Sequence, residues 1–200
     1  MALALLSMTQ PLGSPNASAY CTTGMSRWLT ASTMYYLAVA PSYPSHLALG
    51  SSNAASQWNA IAGSNLRTSY LNTPNYTSYP LQGYYFWPSG LSGVIAPGFA
   101  SKGGTAGSYN QTWGAMYLNP SYTWINGSQD IANKKADVQT VVVHELGHMH
   151  GLAHPYPYAP HCTDGTAYTE AEKSSVMTAI NTGTRRLINS DDRAGIAALY

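Results

Sequence analysis

Hydrophobic positions in the first third of the chain predict one strand followed by one helix. Residues 34–40 are almost all aromatic or aliphatic, which is typical of a strand, and Pro41 ends the run. Ser51 or Ser52 can cap a helix that ends near Gly63. This helix would bury one stripe of apolar residues at helical spacing, formed by Ala54, Trp58, Ile61 and Ala62.

The middle of the chain has a different pattern, because proline and glycine divide residues 67–125 into short, tyrosine-rich runs. This punctuation predicts strands and loops of a mixed sheet with irregular connections. A second helix should begin between Asp130 and Asp137 and bury an apolar face made of Val138, Val141, Val142 and Leu146. Near the end, Ser190 followed by two aspartates predicts the N-cap of a last helix that buries Ile196 and Leu199. Strands and helices in this order indicate an α+β fold.

Composition narrows the classes of partner. The chain has 200 residues, of which 44% are hydrophobic, as expected for a globular protein, but only 8% are charged, where about 25% is usual. A net charge of +1 gives no electrostatic reason to expect binding to nucleic acid or to an anionic membrane. No run approaches the roughly 18 apolar residues of a membrane helix, so no membrane insertion is expected. The sixteen tyrosines fit half-buried strand positions, with a sugar- or peptide-contacting face as the alternative.

The first 19 residues have the features of a processing segment. Residues 2–6 form a short apolar run, and residues 17–19 have the small-x-small form of a signal-peptidase site before Tyr20. A basic region ahead of the apolar run is missing. Residues 1–19 are therefore either a clipped signal peptide, which would make the protein secreted, or a disordered tail. Residues 20–200 are predicted to form a single domain.

Two cysteines, Cys21 and Cys162, would suit an exported protein with one disulfide. Such a bridge would tie the mature N-terminus to the loop that follows residue 154, and it could contribute up to about 4 to 5 kcal/mol. Two free thiols are the alternative.

The strongest chemical signal is a metal-binding motif, H-E-x-x-H-x-x-G-x-x-H, formed by His144, Glu145, His148, Gly151 and His154. Residues four apart lie on one face of a helix, so the first two imidazoles can converge on one ion. Gly151 can take the left-handed conformation that ends a helix and turns the chain back, which would bring the third histidine to the same ion. Three neutral imidazoles leave a fourth tetrahedral position for water, as in a catalytic zinc site.

Glu145 directly follows the first predicted ligand, and this position places its carboxylate beside the water in the fourth position. Zinc lowers the pKa of bound water from about 15.7 towards about 7, so Glu145 can act as general base in peptide-bond hydrolysis. A non-catalytic binding or adhesion module with the same fold is the alternative function, and hydrolysis of a non-peptide amide is a third. Glu145 favours catalysis, because an inert relative would be free to lose it.

The extended motif resembles the signature of metzincin zinc peptidases, and other segments resemble the matrixins within that clan. Met177 matches the methionine of the Met-turn, whose thioether lies under the three imidazoles. Further similarity lies in residues 55–61, 115–119 and 187–200. The resemblance implies a twisted mixed sheet with two long helices, a small irregular C-terminal subdomain, and a monomeric endopeptidase that acts on protein or peptide. An edge strand within residues 93–100 would bind the extended substrate.

The chain also departs from the matrixin pattern. Pro155 after the third histidine is more like the serralysins, and Ala179 occupies the position where serralysins carry a zinc-reaching tyrosine. Cys21 lacks the surroundings of the propeptide cysteine that silences matrixins. No acidic residue precedes Asp130, and residues 103–107 contain neither Asp nor His. Calcium needs oxygen ligands, so one zinc and no tightly bound calcium are expected.

His150 and the pair Arg185 and Arg186 are not predicted to take part in metal binding. His150 lies two positions after His148, on a different helical face, so it is predicted to stay outside the metal site, in solvent or behind the ligands. Arg185 and Arg186 either border the substrate pocket or are simply solvated.

Overall fold

A computed structural model describes residues 28, 34–59, 61–92, 94–104, 110–155, 169–178 and 183–200. Its strands and helices, in chain order, are β1 (Met34–Val39), α1 (Ser45–Gln57), β2 (Arg67–Asn72), β3 (Leu81–Tyr84), β4 (Gly98–Gly103), β5 (Trp113–Leu118), β6 (Thr123–Ile125), β7 (Lys135–Asp137), α2 (Val138–Met149), α3 (Glu170–Ser174) and α4 (Ser190–Leu199). Short 3-10 helices lie at Tyr76–Ser78, Ser89–Leu91 and Ile131–Asn133.

Five strands form a mixed sheet in the order β2-β1-β3-β5-β4. The pairs β1–β2, β1–β3 and β3–β5 are parallel, whereas β4 pairs with β5 in the antiparallel direction and occupies one edge. Strands β6 and β7 form a separate parallel pair just before α2. The predicted α+β class, with a twisted mixed sheet and two long helices, is confirmed. An edge strand lies close to the predicted range 93–100, but it begins at Gly98 and ends at Gly103, and its role in substrate binding stays a prediction.

The N-cap of helix α1 is Pro44, seven or eight residues before the predicted Ser51 or Ser52, and the helix ends at Gln57, before the predicted end near Gly63. The predicted start fell inside the helix because Gly50 and the two serines after it resemble a helix boundary. Gly50 is instead the contact point between α1 and α2: an added Cβ would lie 2.7 Å from the Val138 side chain. Of the predicted apolar stripe, Ala54, Trp58 and Ile61 are buried, although the last two lie after the end of the helix. Ala62 is exposed, so its predicted burial is wrong.

Helix α2 begins where the sequence predicted, with Asp137 as its N-cap. The Asp137 side chain accepts hydrogen bonds from the backbone N–H and the hydroxyl of Thr140, at 2.8 and 2.7 Å. Arg186 forms an ion pair with the same carboxylate at 2.6 Å, and its Nε also donates to it. Arg186 is therefore not a simple solvated side chain. It fixes the segment before α4 to the start of α2.

Helix α4 is capped by Asn189, one residue before the predicted cap, and its third residue Asp192 completes a reciprocal capping box. Ile196 and Leu199 are buried, as the pattern predicted. The core lies between the sheet and the helices α1 and α2. Among the described residues, no helix is long and apolar enough to cross a membrane.

Candidate metal centre

The three histidines of the motif converge on one point. The Nε2 atoms of His144 and His154 are 3.1 Å apart, and those of His148 and His154 are 3.0 Å apart. His144 and His148 lie one turn apart on α2, and both are buried. Within the described part of the chain, these three residues form the one group of His, Cys, Asp or Glu side chains close enough to hold a metal ion.

The turn at the end of α2 places His154 close to the other two histidines. Gly151 has a φ of 101°, which is the left-handed conformation expected at this position. Its N–H donates to the carbonyl of His148 at 3.0 Å, and the N–H of Leu152 donates to the carbonyl of Gly147 at 2.9 Å. This pair of bonds is a Schellman motif, which ends the helix and reverses the chain. His154 follows two residues later.

Backbone carbonyls fix which nitrogen of each helical imidazole faces the centre. The Nδ1 of His144 donates to the carbonyl of Val176 at 2.7 Å, and the Nδ1 of His148 donates to the carbonyl of Leu152 at 2.9 Å. A neutral ring that donates from Nδ1 has its lone pair on Nε2. Both helical rings therefore direct a lone pair at the point that His154 Nε2 also faces.

These distances fit zinc. Tetrahedral zinc with Zn–N bonds of about 2.0–2.1 Å separates two ligand nitrogens by about 3.3 Å, close to the observed 3.0 and 3.1 Å. Burial lowers the pKa of His144 to about 3, and burial also lowers the pKa of His148 well below its usual range. Both rings are thus held neutral, in the form that binds a metal ion. The centre can hold one zinc ion, as the sequence predicted.

Glu145 is buried, with 7% of its surface exposed, and lies between α2 and β4. The backbone N–H of Ala100 in β4 donates a hydrogen bond to its carboxylate. The carboxylate is so close to β4 that a Cβ on Gly98 would lie 2.8 Å from Oε1. Burial raises the pKa of the Glu145 carboxyl to about 8. Glu145 is outside the group of three ligands, where the sequence placed it.

Met177 lies against the helix that carries the ligands. A Cβ on Gly147, the residue just before His148, would lie only 2.2 Å from the Met177 sulfur. The turn that carries Met177 is fixed by Asp192 of α4, which accepts from the Ser175 hydroxyl at 2.6 Å and from the Val176 N–H at 3.2 Å. Since the carbonyl of the same residue, Val176, accepts from His144, α4 helps to orient that ligand.

His150 is not in solvent, contrary to one of the two environments predicted for it. The ring is fully buried, and its Nδ1 accepts a hydrogen bond from the Trp28 indole at 3.3 Å. Its Nε2 lies 2.9 Å from the Thr68 hydroxyl, so it carries the proton and donates. The position outside the metal site was predictable from helical spacing, whereas the burial depends on partners 82 and 122 residues away.

Lys102 contacts the metal-binding helix, although the sequence did not predict a role for it. Its Nζ donates to the carbonyl of His148 at 2.6 Å. Burial lowers the pKa of Lys102 to about 7. The sequence held only part of the signal: strand residues alternate between two faces, so Lys102 shares a face with Gly98 and Ala100. That this face packs against α2 depends on contacts distant in sequence.

Several predicted features lie outside the described residues. These are the N-terminal segment 1–19, the cysteine pair Cys21 and Cys162, Ala179 after Met177, and residues 105–107 of the loop that lacks Asp and His. They remain predictions.

A helix that carries two metal-ligating imidazoles with a carboxylate after the first is the arrangement of a zinc peptidase. The sequence profile of the matrixins matches residues 89–200, which is more than half of the chain and includes all three ligands. The chain therefore belongs to the matrixin family of zinc metallopeptidases. Among solved structures, the chain is similar to the structure of myroilysin, with 13% sequence identity, a TM-score of 0.45, and coverage of 87% of this chain and 95% of that chain. No curated protein matches it in sequence.

Proposed function

We propose that the protein is a secreted endopeptidase in which Glu145 acts as the general base. The observation that carries this proposal is the position of the Glu145 carboxylate. It is adjacent to the metal ligands on α2 but outside the ligand group, and the Ala100 N–H holds it against the edge strand. A carboxylate that bound the metal itself could not serve as a base in the same way.

Zinc, when held by His144, His148 and His154, supplies a Lewis acid that polarises the scissile carbonyl and makes water a better nucleophile near neutral pH. Glu145 takes one proton from the attacking water on its carboxylate and then gives that proton to the leaving amine. Burial raises the pKa of the Glu145 carboxyl, so its carboxylate is a stronger base than an exposed one in the same field.

The substrate would bind along β4. No described strand pairs with the outer edge of β4, so its backbone groups on that side can pair with an extended peptide. An extended peptide on this edge would pass the centre with chain on both sides of the scissile bond, which is the geometry of an endopeptidase. Main-chain pairing would set the register, and pockets for alternate side chains would set the specificity.

The test is digestion of an unbiased peptide library with blocked termini by wild type and by Glu145→Gln, together with zinc analysis of both. We expect internal cleavage by wild type, full zinc in both proteins, and a loss of several orders of magnitude in the variant. Zinc-loaded wild type that cuts no peptide would contradict the proposal and would favour the binding module. Residual turnover of the variant within about tenfold of wild type would exclude Glu145 as the base.

Secretion is supported by the apolar run and the small-x-small site within residues 1–19 and by the two cysteines. Expression of the full chain in a secreting host should yield a protein that begins at Tyr20. Mass spectrometry without reduction should find the peptides of Cys21 and Cys162 joined. A cell-associated protein that retains residues 1–19 would refute secretion through a signal peptide. Two alkylatable thiols in the exported protein would refute the disulfide.

A further inference from the structure

Three residues of β4 follow the length of helix α2. A Cβ on Gly98 would lie 2.6 Å from the Val141 side chain, the Ala100 N–H bonds the Glu145 carboxylate, and the Lys102 Nζ bonds the His148 carbonyl. Alternate strand residues span about 13 Å from 98 to 102, and the helix rises about 10 Å from 141 to 148, so strand and helix run side by side. The edge strand is thus joined to the metal-binding helix at both ends of the site.

The carbonyl that Lys102 contacts lies at the junction between the second and third metal ligands. The His148 oxygen accepts hydrogen bonds from Lys102 at 2.6 Å and from the Gly151 N–H at 3.0 Å. The imidazole of His148 in turn donates to Leu152, one residue after that glycine. Any movement of the His148 carbonyl would therefore alter both the ring of His148 and the turn that leads to His154.

The contact also has favourable electrostatics. The last carbonyls of a helix have no partners within the helix and carry the negative end of its dipole. A lysine amine that donates to such a carbonyl stabilises the last turn through the hydrogen bond, and its interaction with the helix dipole adds to this when the amine is protonated. The last turn of α2 contains one of the ligands, so its stability is coupled to the metal site.

We propose that Lys102 is a positioning residue of the zinc centre, which holds the His148 carbonyl and thereby aligns His148 and His154 on the metal. Lys102 reaches the metal site through the backbone and does not touch the reacting atoms. This inference rests on zinc binding by the three histidines. It is independent of which bonds the enzyme cuts.

The chain offers a matched control at the next carbonyl. Gln111 is buried, and its side-chain N–H donates to the carbonyl of Met149 at 3.0 Å. Lys102→Met and Gln111→Met each remove one side-chain donor from the same helix end, but only the first removes it from a ligand residue. A general effect of weakening the helix end would appear equally in both variants.

The experiment measures zinc affinity by competition with a chromophoric chelator, without substrate, for wild type and both variants. Circular dichroism of the zinc-free proteins checks the fold. Partners of metal ligands contribute about 10- to 100-fold to metal affinity, so we expect Lys102→Met to weaken zinc binding at least about tenfold. Gln111→Met should weaken it less than about threefold. A Lys102→Met affinity less than threefold weaker than that of Gln111→Met would overturn the proposal.

A second variant covers the case in which Lys102→Met does not fold. Lys102→Gln keeps an amide donor, but its side chain is one bond shorter and cannot reach the His148 carbonyl unless β4 moves. The same threshold relative to Gln111→Met then applies. Because zinc is titrated in the absence of peptide, failure of this inference is distinguishable from failure of the proposed peptidase activity.

Discussion

Gly147→Ala should expose how tightly the Met-turn is packed under the metal-binding helix. Gly147 lies on α2 between Glu145 and His148, and the alanine Cβ would lie 2.2 Å from the sulfur of Met177 and 3.1 Å from the ring of Trp58. Both neighbours are buried, with 3% and 0% of their surfaces exposed. The methyl group can be accommodated only if Met177 moves, since the Trp58 ring is enclosed and its indole N–H is bonded to Val143.

Two effects of opposite sign decide the size of the change. Alanine stabilises a helix interior by about 0.5–1 kcal/mol relative to glycine. Overpacking of a close-packed core costs about 1–3 kcal/mol, and occasionally more. A 2.2 Å approach is far inside the contact distance of about 3.5–4.0 Å, so overpacking should dominate. We expect a net loss of about 2 kcal/mol, which corresponds to a decrease in Tm of about 4–8 °C for a chain of this size.

The assay is thermal and urea unfolding of the zinc-free protein, with two controls. Gly90→Ala adds the same methyl group where nothing lies within 4 Å, so its stability should stay within about 0.5 kcal/mol of wild type. Met177→Ala creates room beside Gly147. The double variant Gly147→Ala with Met177→Ala should therefore be more stable than the sum of the two single changes predicts, by about 1 kcal/mol or more.

A Gly147→Ala variant that is as stable as wild type, or more stable, would contradict this expectation. That result would mean that helix propensity outweighs the contact and that Met177 moves aside at little cost. Additive effects of the two changes would likewise show that the Met177 sulfur is not what limits the space at Gly147.

Three other outcomes can be measured. Arg186→Met should lower the free energy of unfolding in urea by about 2 kcal/mol. This is less than the roughly 3–5 kcal/mol of a fully buried ion pair, because the Arg186 side chain is 35% exposed whereas that of Asp137 is fully buried. A loss of less than about 0.5 kcal/mol would contradict a structural role for the pair. Burial lowers the pKa of His150 to about 3, against about 6.5 unfolded, so its stabilising contribution is complete above pH 6.5 and is lost as pH falls towards 3. The free energy of unfolding of the zinc-free protein should therefore depend less on pH in His150→Gln than in wild type, by up to about 1.4 kcal/mol per pH unit between pH 6 and 4. Equal slopes of unfolding free energy against pH in the two proteins would refute this prediction. Removal of calcium alone should leave stability unchanged, because no acidic residue precedes Asp130, and a loss above about 2 kcal/mol would reveal a calcium site.

The metal ligands were predictable from the sequence because they are local. All three lie within eleven consecutive residues, and helix geometry together with one glycine in the left-handed conformation brings them together. The spacing of the motif therefore determines most of the geometry of the three ligands. The general position of the edge strand and the N-cap of α2 were predictable for similar reasons, since alternation and capping are properties of neighbouring residues.

The groups that hold the ligands in place could not be predicted in this way. Val176 bonds His144 across 32 residues, and Lys102 bonds His148 across 46. The start of α1 was misplaced because Gly50 has the local pattern of a helix boundary, whereas its real neighbour is Val138 on another helix. In each case the deciding contact is long-range, and local propensity is overridden by packing.

The few acidic side chains of the chain are mostly buried rather than spread over its surface. The sequence has only eight acidic residues, and among the described residues five of these side chains are buried, namely Asp137, Glu145, Glu172, Asp191 and Asp192. Acidic groups are rarely buried unless they are paired or hydrogen-bonded. Four of them have identified partners: Asp137 at the start of α2, Glu145 beside the metal ligands, Glu172 in the capping box of α3, and Asp192 under the Met-turn. The buried carboxylates therefore serve to cap helices and to orient groups around the metal ligands of α2. Replacing them by neutral residues should affect this centre more than it affects solubility.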